Sequence, residues 1–181
     1  MEDGTRGGIV ARAALVVLLG WWTLTFATSS VASNAAGLSF LHLVNLPFHE
    51  AGHILFAPFG RFLAILGGSL LQVVIPLVCA WTLRRRTEDP FGAAVCAWWA
   101  GENLVDLAPY IADARALQLI LIGGHTGAEV EGHDWEALLT TLGWMRYDVA
   151  LGKASHLGDR RDGGGAGVGG DVARRALACY G

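Results

Sequence analysis

Charge is what this chain has least of. Only 16% of its 181 residues are Asp, Glu, Lys or Arg, against about 25% in an ordinary soluble domain, and that shortage argues against a single water-soluble globule. Neither sign dominates: 13 basic against 16 acidic side chains give a formal net charge of -3. No basic field is therefore available to grip nucleic acid independently of sequence. Cysteine is equally sparse. Cys79, Cys96 and Cys179 stand far apart with no CxxC pair, which excludes a readable disulfide framework or a thiolate zinc knuckle. No internal repeat and no strand-type alternation of useful length occurs.

Long apolar runs take the place of the missing charges. No Asp, Glu, Lys or Arg occurs from Ala13 to His49, nor in the 22 residues from Phe62 to Leu83. A helix needs about 20 apolar residues to cross the roughly 30 Å hydrocarbon layer. The first span is placed at Ile9 to Val31, and a charged start followed by the small residues Val31, Ala32 and Ser33 makes a cleaved signal peptide its competing reading. The second stretch, Leu38 to Phe59, is interrupted by Pro47 and Pro58 and carries His42, Asn45, His49, Glu50 and His53. The third ends on Arg84, Arg85 and Arg86, a cluster that by the positive-inside rule prefers the cytoplasmic face. The fourth runs from about Pro90, with interruptions, to Ile122, and its Glu102, Asn103, Asp106, Asp113 and Arg115 keep it from facing lipid all round. The expected fold is an all-α, multi-pass transmembrane bundle of three to four segments over residues 1–151. It includes an amphipathic helix built on Trp135, Leu138, Leu139, Leu142, Met145 and Val149 with Asp134 as its N-cap. Residues 152–181 are Gly-rich and too poor in apolar side chains to offset ordering entropy, so a disordered tail is expected.

The chemistry is concentrated in His49-Glu50-Ala51-Gly52-His53, an H-E-x-x-H pattern. On a helix, positions i and i+4 share a face, so two imidazoles reach one ion at the Zn–N distance of roughly 2.0–2.1 Å. Glu50 lies one residue on, about 100° around the helix, where it misses the ion but reaches a water beside it. That is the position of a general base. Ionisable side chains inside an apolar stretch cost about 2.5–3.5 kcal/mol per charge on insertion scales, so they mark function by default. The predicted metal-bearing helix spans Leu46 to Ala57, capped by Asn45, with Pro47 in its first turn and Pro58 and Gly60 ending it. His42 shares the face of His49 if the helix continues through Pro47, and it is read as a supporting residue. Gly67, Gly68, Ser69 and Gln72 offer a small and polar contact face on the third segment. Two histidines leave a catalytic zinc one protein ligand short. Asp106 and Asp113 both qualify, Asp113 having an alternative as the partner of Arg115; His133 and Asp134 are further candidates.

Phe48-His49-Glu50-Ala51-Gly52-His53 within an apolar segment, followed by Gly67-Gly68 on the next, resembles the site-2 protease type of intramembrane zinc metallopeptidases. The resemblance covers roughly Leu38 to Asp113. It implies that His49, His53 and an aspartate from a later membrane helix bind zinc and that Glu50 activates the attacking water. The family's aspartate lies in an Asn/Pro-rich motif ending Leu-Asp-Gly; here the nearest match is Asn103 to Ala114, without Leu-Asp-Gly. Asp113 follows the proline, as the family's ligand does, and is the implied third ligand. His133-Asp134-Trp135 has no counterpart in those motifs.

These readings converge on an integral membrane zinc metallopeptidase acting on membrane or juxtamembrane protein substrates, with Glu50 as base and His49, His53 and Asp113 as ligands. Asn45, Gln72, Asn103 and Asp106 are expected to line a water path to the metal. The competing class is a non-catalytic membrane protein in which the metal is a structural staple or a partner is bound.

Overall fold

The computed structural model describes residues 2–156; its regular structure is all helical, with no strand among the described residues and one isolated antiparallel bridge, Ile120 to Thr126. Two helices are long and apolar enough to cross a membrane: α1 (Glu2–Thr28) from Arg6 onward, and α3 (Arg61–Arg86). At 1.5 Å per residue α3 is about 39 Å long, more than the hydrocarbon thickness. The flanks of α1 turn Val17, Trp21 and Leu24 outward, and α3 does the same with Leu77, Val78 and Trp81. In water such surface is costly. Against the rest of the protein, α1 is held by few contacts: Trp98 Nε1 donates to Thr23 Oγ1 at 2.8 Å, Trp22 packs on Trp98, and Arg12 lies over the ring of Phe91.

The metal-bearing helix starts earlier than its sequence signals imply. α2 (Phe40–Phe56) is capped by Ser39, whose hydroxyl accepts the Leu41 N–H at 3.2 Å, and Pro47 lies inside it. Asn45 is consequently a helix-interior residue, buried to 1% exposure, and the unbroken helix puts His42, Asn45 and His49 on one face. A 3-10 turn, Ala57–Phe59, and Gly60 at φ +97 then reverse the chain into α3. The α2–α3 hairpin closes at glycines. A Cβ on Gly52 would collide with the Gly67 carbonyl, and one on Gly67 would sit 2.6 Å from the Gly52 oxygen, so neither position admits a side chain without a backbone shift.

α4 (Pro90–Ala112) begins with Pro90 after the cap Asp89, whose Oδ1 accepts the N–H of Phe91 and Gly92. It ends at Ala112, well short of Ile122, and carries Pro109 internally. The expected amphipathic helix is two pieces. α5 (Asp134–Leu142) stops at Gly143, φ +68, and α6 (Asp148–His156) follows a 3-10 turn. The cap of α5 is His133, whose Nδ1 accepts the Glu136 N–H at 3.1 Å; Asp134, expected as the cap, is the first residue of the helix proper.

α6 replaces the start of the expected tail. Gly152 lies against the Ala108 carbonyl and the Ala112 methyl, where a Cβ would stand 2.6 and 2.7 Å from them. Ser155 donates to the Leu104 carbonyl at 2.6 Å. Buried Asp148 pairs with Arg115 at 3.0 Å, so the partner of Arg115 is Asp148 and not Asp113. The rest of the expected tail, from residue 157, lies outside the described residues.

Candidate metal centre

His49 and His53 project from α2 toward α3, and their ring centroids are 4.8 Å apart. Each ring is oriented by an acceptor on α3. His49 Nδ1 stands 2.6 Å from Gln72 Oε1, and His53 Nδ1 stands 2.9 Å from the Ala64 carbonyl oxygen. A carbonyl oxygen only accepts, so both rings hold a proton on Nδ1 and turn Nε2 to the other side. This is the outer hydrogen bonding that fixes the tautomer of a metal-binding imidazole.

Both Nε2 atoms face one carboxylate oxygen. Asp134 Oδ2 is 3.0 Å from His49 Nε2 and 3.3 Å from His53 Nε2. Three such atoms turned toward a common point are held together by positive charge, carried either by protons on Nε2 or by a cation among them. The separations also fit such a charge: ligands about 2.0–2.1 Å from a tetrahedral zinc stand about 3.3 Å from one another. Gly68 supplies the room. A Cβ at that position would lie 2.6 Å from His53 Nε2 and 2.7 Å from His49 Nε2, in the space in front of both donors. Glu50 is exposed beside them, and one ligand atom from each of His49, Glu50 and His53 lies within 4.8 Å of the others. On these observations the group could hold a metal ion: two imidazoles, one carboxylate, a space that only glycine leaves free, and an adjacent carboxylate open to solvent.

Asp113 is elsewhere. It caps the end of α4, where its carboxylate accepts the N–H of Gln118 at 3.0 Å and of Leu119 at 2.8 Å, and its Oδ2 is 3.6 Å from His133 Nε2. The carboxylate brought to the imidazoles is that of Asp134. The reason is local. Once His133 caps α5, the Asp134 N–H is free to donate to Tyr110 Oη on α4 at 2.8 Å, and the Asp134 side chain turns into the site. Trp135 Nε1 donates to Ser69 Oγ at 3.1 Å and fastens α5 to α3. The alternative ligand His133 stacks 4.3 Å from the Tyr110 ring, with Nε2 toward Asp113.

Asp106 belongs to a second buried polar group between α2 and α4. Its two oxygens lie 3.0 and 3.1 Å from His42 Nδ1. Asn45 Nδ2 donates to Asp106 Oδ2 at 3.0 Å and to Glu102 Oε2 at 2.9 Å, while Asn45 Oδ1 accepts from Trp99 Nε1. The Trp99 bond fixes which way the Asn45 amide points, so its NH2 faces the two carboxylates. Asn45, Gln72, Asn103 and Asp106, expected along a water path, are all buried. Asn45, Asp106 and Gln72 bond to side chains on neighbouring helices and tie those helices together, whereas Asn103 donates to the Trp99 carbonyl within α4.

Tyr110 and the Ala64 carbonyl are the participants that the sequence did not flag. A backbone acceptor leaves no trace in residue identity, and Tyr110 reads as an ordinary apolar-face aromatic. His-Asp-Trp ahead of an amphipathic run was the one available signal for Asp134. No family model, curated protein or solved structure matches this chain.

Proposed function

We propose that the protein is a multi-pass, membrane-embedded zinc metallopeptidase that hydrolyses peptide bonds of membrane or juxtamembrane protein substrates. The observation that carries the reading is the convergence of His49 Nε2, His53 Nε2 and Asp134 Oδ2 in front of Gly68, with Glu50 exposed beside them. His49, His53 and Asp134 would hold the ion. When bound, zinc polarises a carbonyl group and lowers the pKa of water to about 7.

The protein's own groups supply the rest. Glu50 accepts the proton of the attacking water as the O–C bond forms, then delivers it to the amine nitrogen as the C–N bond breaks. Gln72 and Ala64 keep both imidazoles in the tautomer that leaves Nε2 free. α2 and α4 lie in the membrane beside α1 and α3, making three to four membrane segments with Arg84, Arg85 and Arg86 on the cytoplasmic side. A substrate helix must lose helix locally to offer its carbonyl, since lipid otherwise keeps backbone groups paired within the helix.

A closed structural zinc site is the competing reading, and it needs four protein ligands. His49, His53 and Asp134 would supply three, and Glu50 decides between the readings. In Glu50→Gln, zinc per protein by elemental analysis is expected at the wild-type level while cleavage falls about 10²–10⁴-fold, the range lost with a general base. Equal loss of zinc in Glu50→Gln and His49→Ala would make Glu50 a ligand and sink the peptidase reading.

A further inference from the structure

The buried polar group between α2 and α4 has no part in peptide hydrolysis as proposed. Glu102 and Asp106 are both buried, one turn apart near the midpoint of α4. Both oxygens of Asp106 meet donors: His42 Nδ1 lies 3.0 and 3.1 Å from them, and Asn45 Nδ2 donates to Oδ2 at 3.0 Å. Glu102 shares the Asn45 amide through Oε2 at 2.9 Å, while its Oε1 is buried without a donor. The next residue, Asn103, is wholly buried, and its Oδ1 lacks a donor too. The charges acting on Glu102 are those of Asp106 on its own helix and His42 on α2. Of the other elements packed on α4, α3 carries its charge at its two ends, α5 carries Asp134 and Glu136, α6 carries Asp148, Lys153 and His156, and α1 brings Arg12 to Phe91. No ion pair to Glu102 occurs among the described residues. Two carboxylates thus face one imidazole, which can balance only one of them. A buried carboxylate left ionised and unpaired costs far more than its neutral acid.

We propose that this cluster is a second binding site, independent of the metal centre, and that its ligand is a proton held by Glu102. Binding forms one O–H bond with a proton from solvent and moves no electrons. Glu102 then becomes neutral, and Asp106 is left balanced by the His42 imidazolium. Glu102 takes the proton because Asp106 has donors on both oxygens and Glu102 on one. Once protonated, the carboxyl has an O–H to give where Oε1 stood without a partner. The way in is His42, whose side chain is 37% exposed against 3% for Asp106. Ionisable groups inside a membrane helix serve proton and ion traffic more often than anchoring.

The test is infrared spectroscopy of the full-length protein in detergent micelles, read at the C=O band of a protonated carboxylic acid. About two pH units above the ordinary Glu pKa of about 4.3, an unperturbed carboxyl is only about 1% protonated. At that pH the wild type is expected to show the band, and Glu102→Gln is expected to lose it while keeping its helix content by circular dichroism. Carbon-13 labelling of the glutamate carboxyls is expected to move the wild-type band to lower frequency. Labelling needs no substitution, so it serves if the glutamine variant fails to fold, Glu102 being the one buried glutamate among the described residues. A wild type without the band, a band that persists in Glu102→Gln, or a band that moves on labelling aspartate in place of glutamate would overturn the proposal. So would a wild-type band that emerges only when sodium is exchanged for N-methylglucamine, since the ligand would then be a metal cation.

Discussion

The two imidazoles differ from ordinary buried histidines in what their second nitrogens do. A carbonyl oxygen on each Nδ1 leaves two lone pairs and a carboxylate oxygen crowded together, an arrangement that only a cation or an added proton relieves. The aspartates separate by the same logic. Asp134 faces the nitrogens directly, whereas Asp113 ties the residues after α4 and reaches the site only through His133. Asp134→Ala is therefore expected to weaken zinc binding by more than about 10²-fold. Asp113→Ala is expected to stay within the 10–100-fold typical of outer-shell partners. Competition with a chromophoric zinc chelator measures both, and the reverse order would return the third ligand to α4. The H-E-x-x-H residues were legible in the sequence because their spacing alone sets their geometry. The carboxylate that faces them was not, because the choice among four acidic or imidazole side chains depends on which of them the fold carries to α2.

At the scale of the helix, the α2–α3 hairpin works by leaving atoms out. Gly52 and Gly67 let the backbones meet, and Gly68 leaves open the volume in front of both Nε2 atoms. Gly68→Ala adds one methyl to a helix interior, where alanine is the better helix former by about 0.8–1.0 kcal/mol. Helix content by circular dichroism is therefore expected to be kept, while the zinc content measured alongside it falls. A zinc-replete Gly68→Ala protein would show that the ion does not sit between that glycine and the rings. Apolar length and flanking charge announced α1 and α3 in the sequence. They misplaced the start of α2, because Asn45 has the composition of a cap but spends its amide on Glu102, Asp106 and Trp99, leaving the capping to Ser39. A side chain able to cap one helix or bridge two is assigned by its neighbours, and those come from α4.

Over the whole molecule, the outward apolar faces of α1 and α3 require lipid or an equivalent cover. The expected outcome is retention in the membrane pellet after alkaline carbonate extraction, with the purified protein keeping α1 by intact mass. Release into the supernatant would contradict the membrane reading, and loss of the first 33 residues would identify α1 as a cleaved signal peptide. Sequence by itself determined that the protein is helical, that α1 and α3, among the three to four membrane segments expected, suit a bilayer, and that His49, Glu50 and His53 share one helical turn. Each of these depends on residue type and spacing along a single element. Only the tertiary structure decided that the carboxylate of Asp134, and not that of Asp113, faces both imidazoles, that Tyr110 stands beside it, and that residues 152–156 belong to a helix packed on α4. Those outcomes join residues dozens of positions apart, and their energies come from fit and hydrogen bonding between elements, which no local pattern encodes.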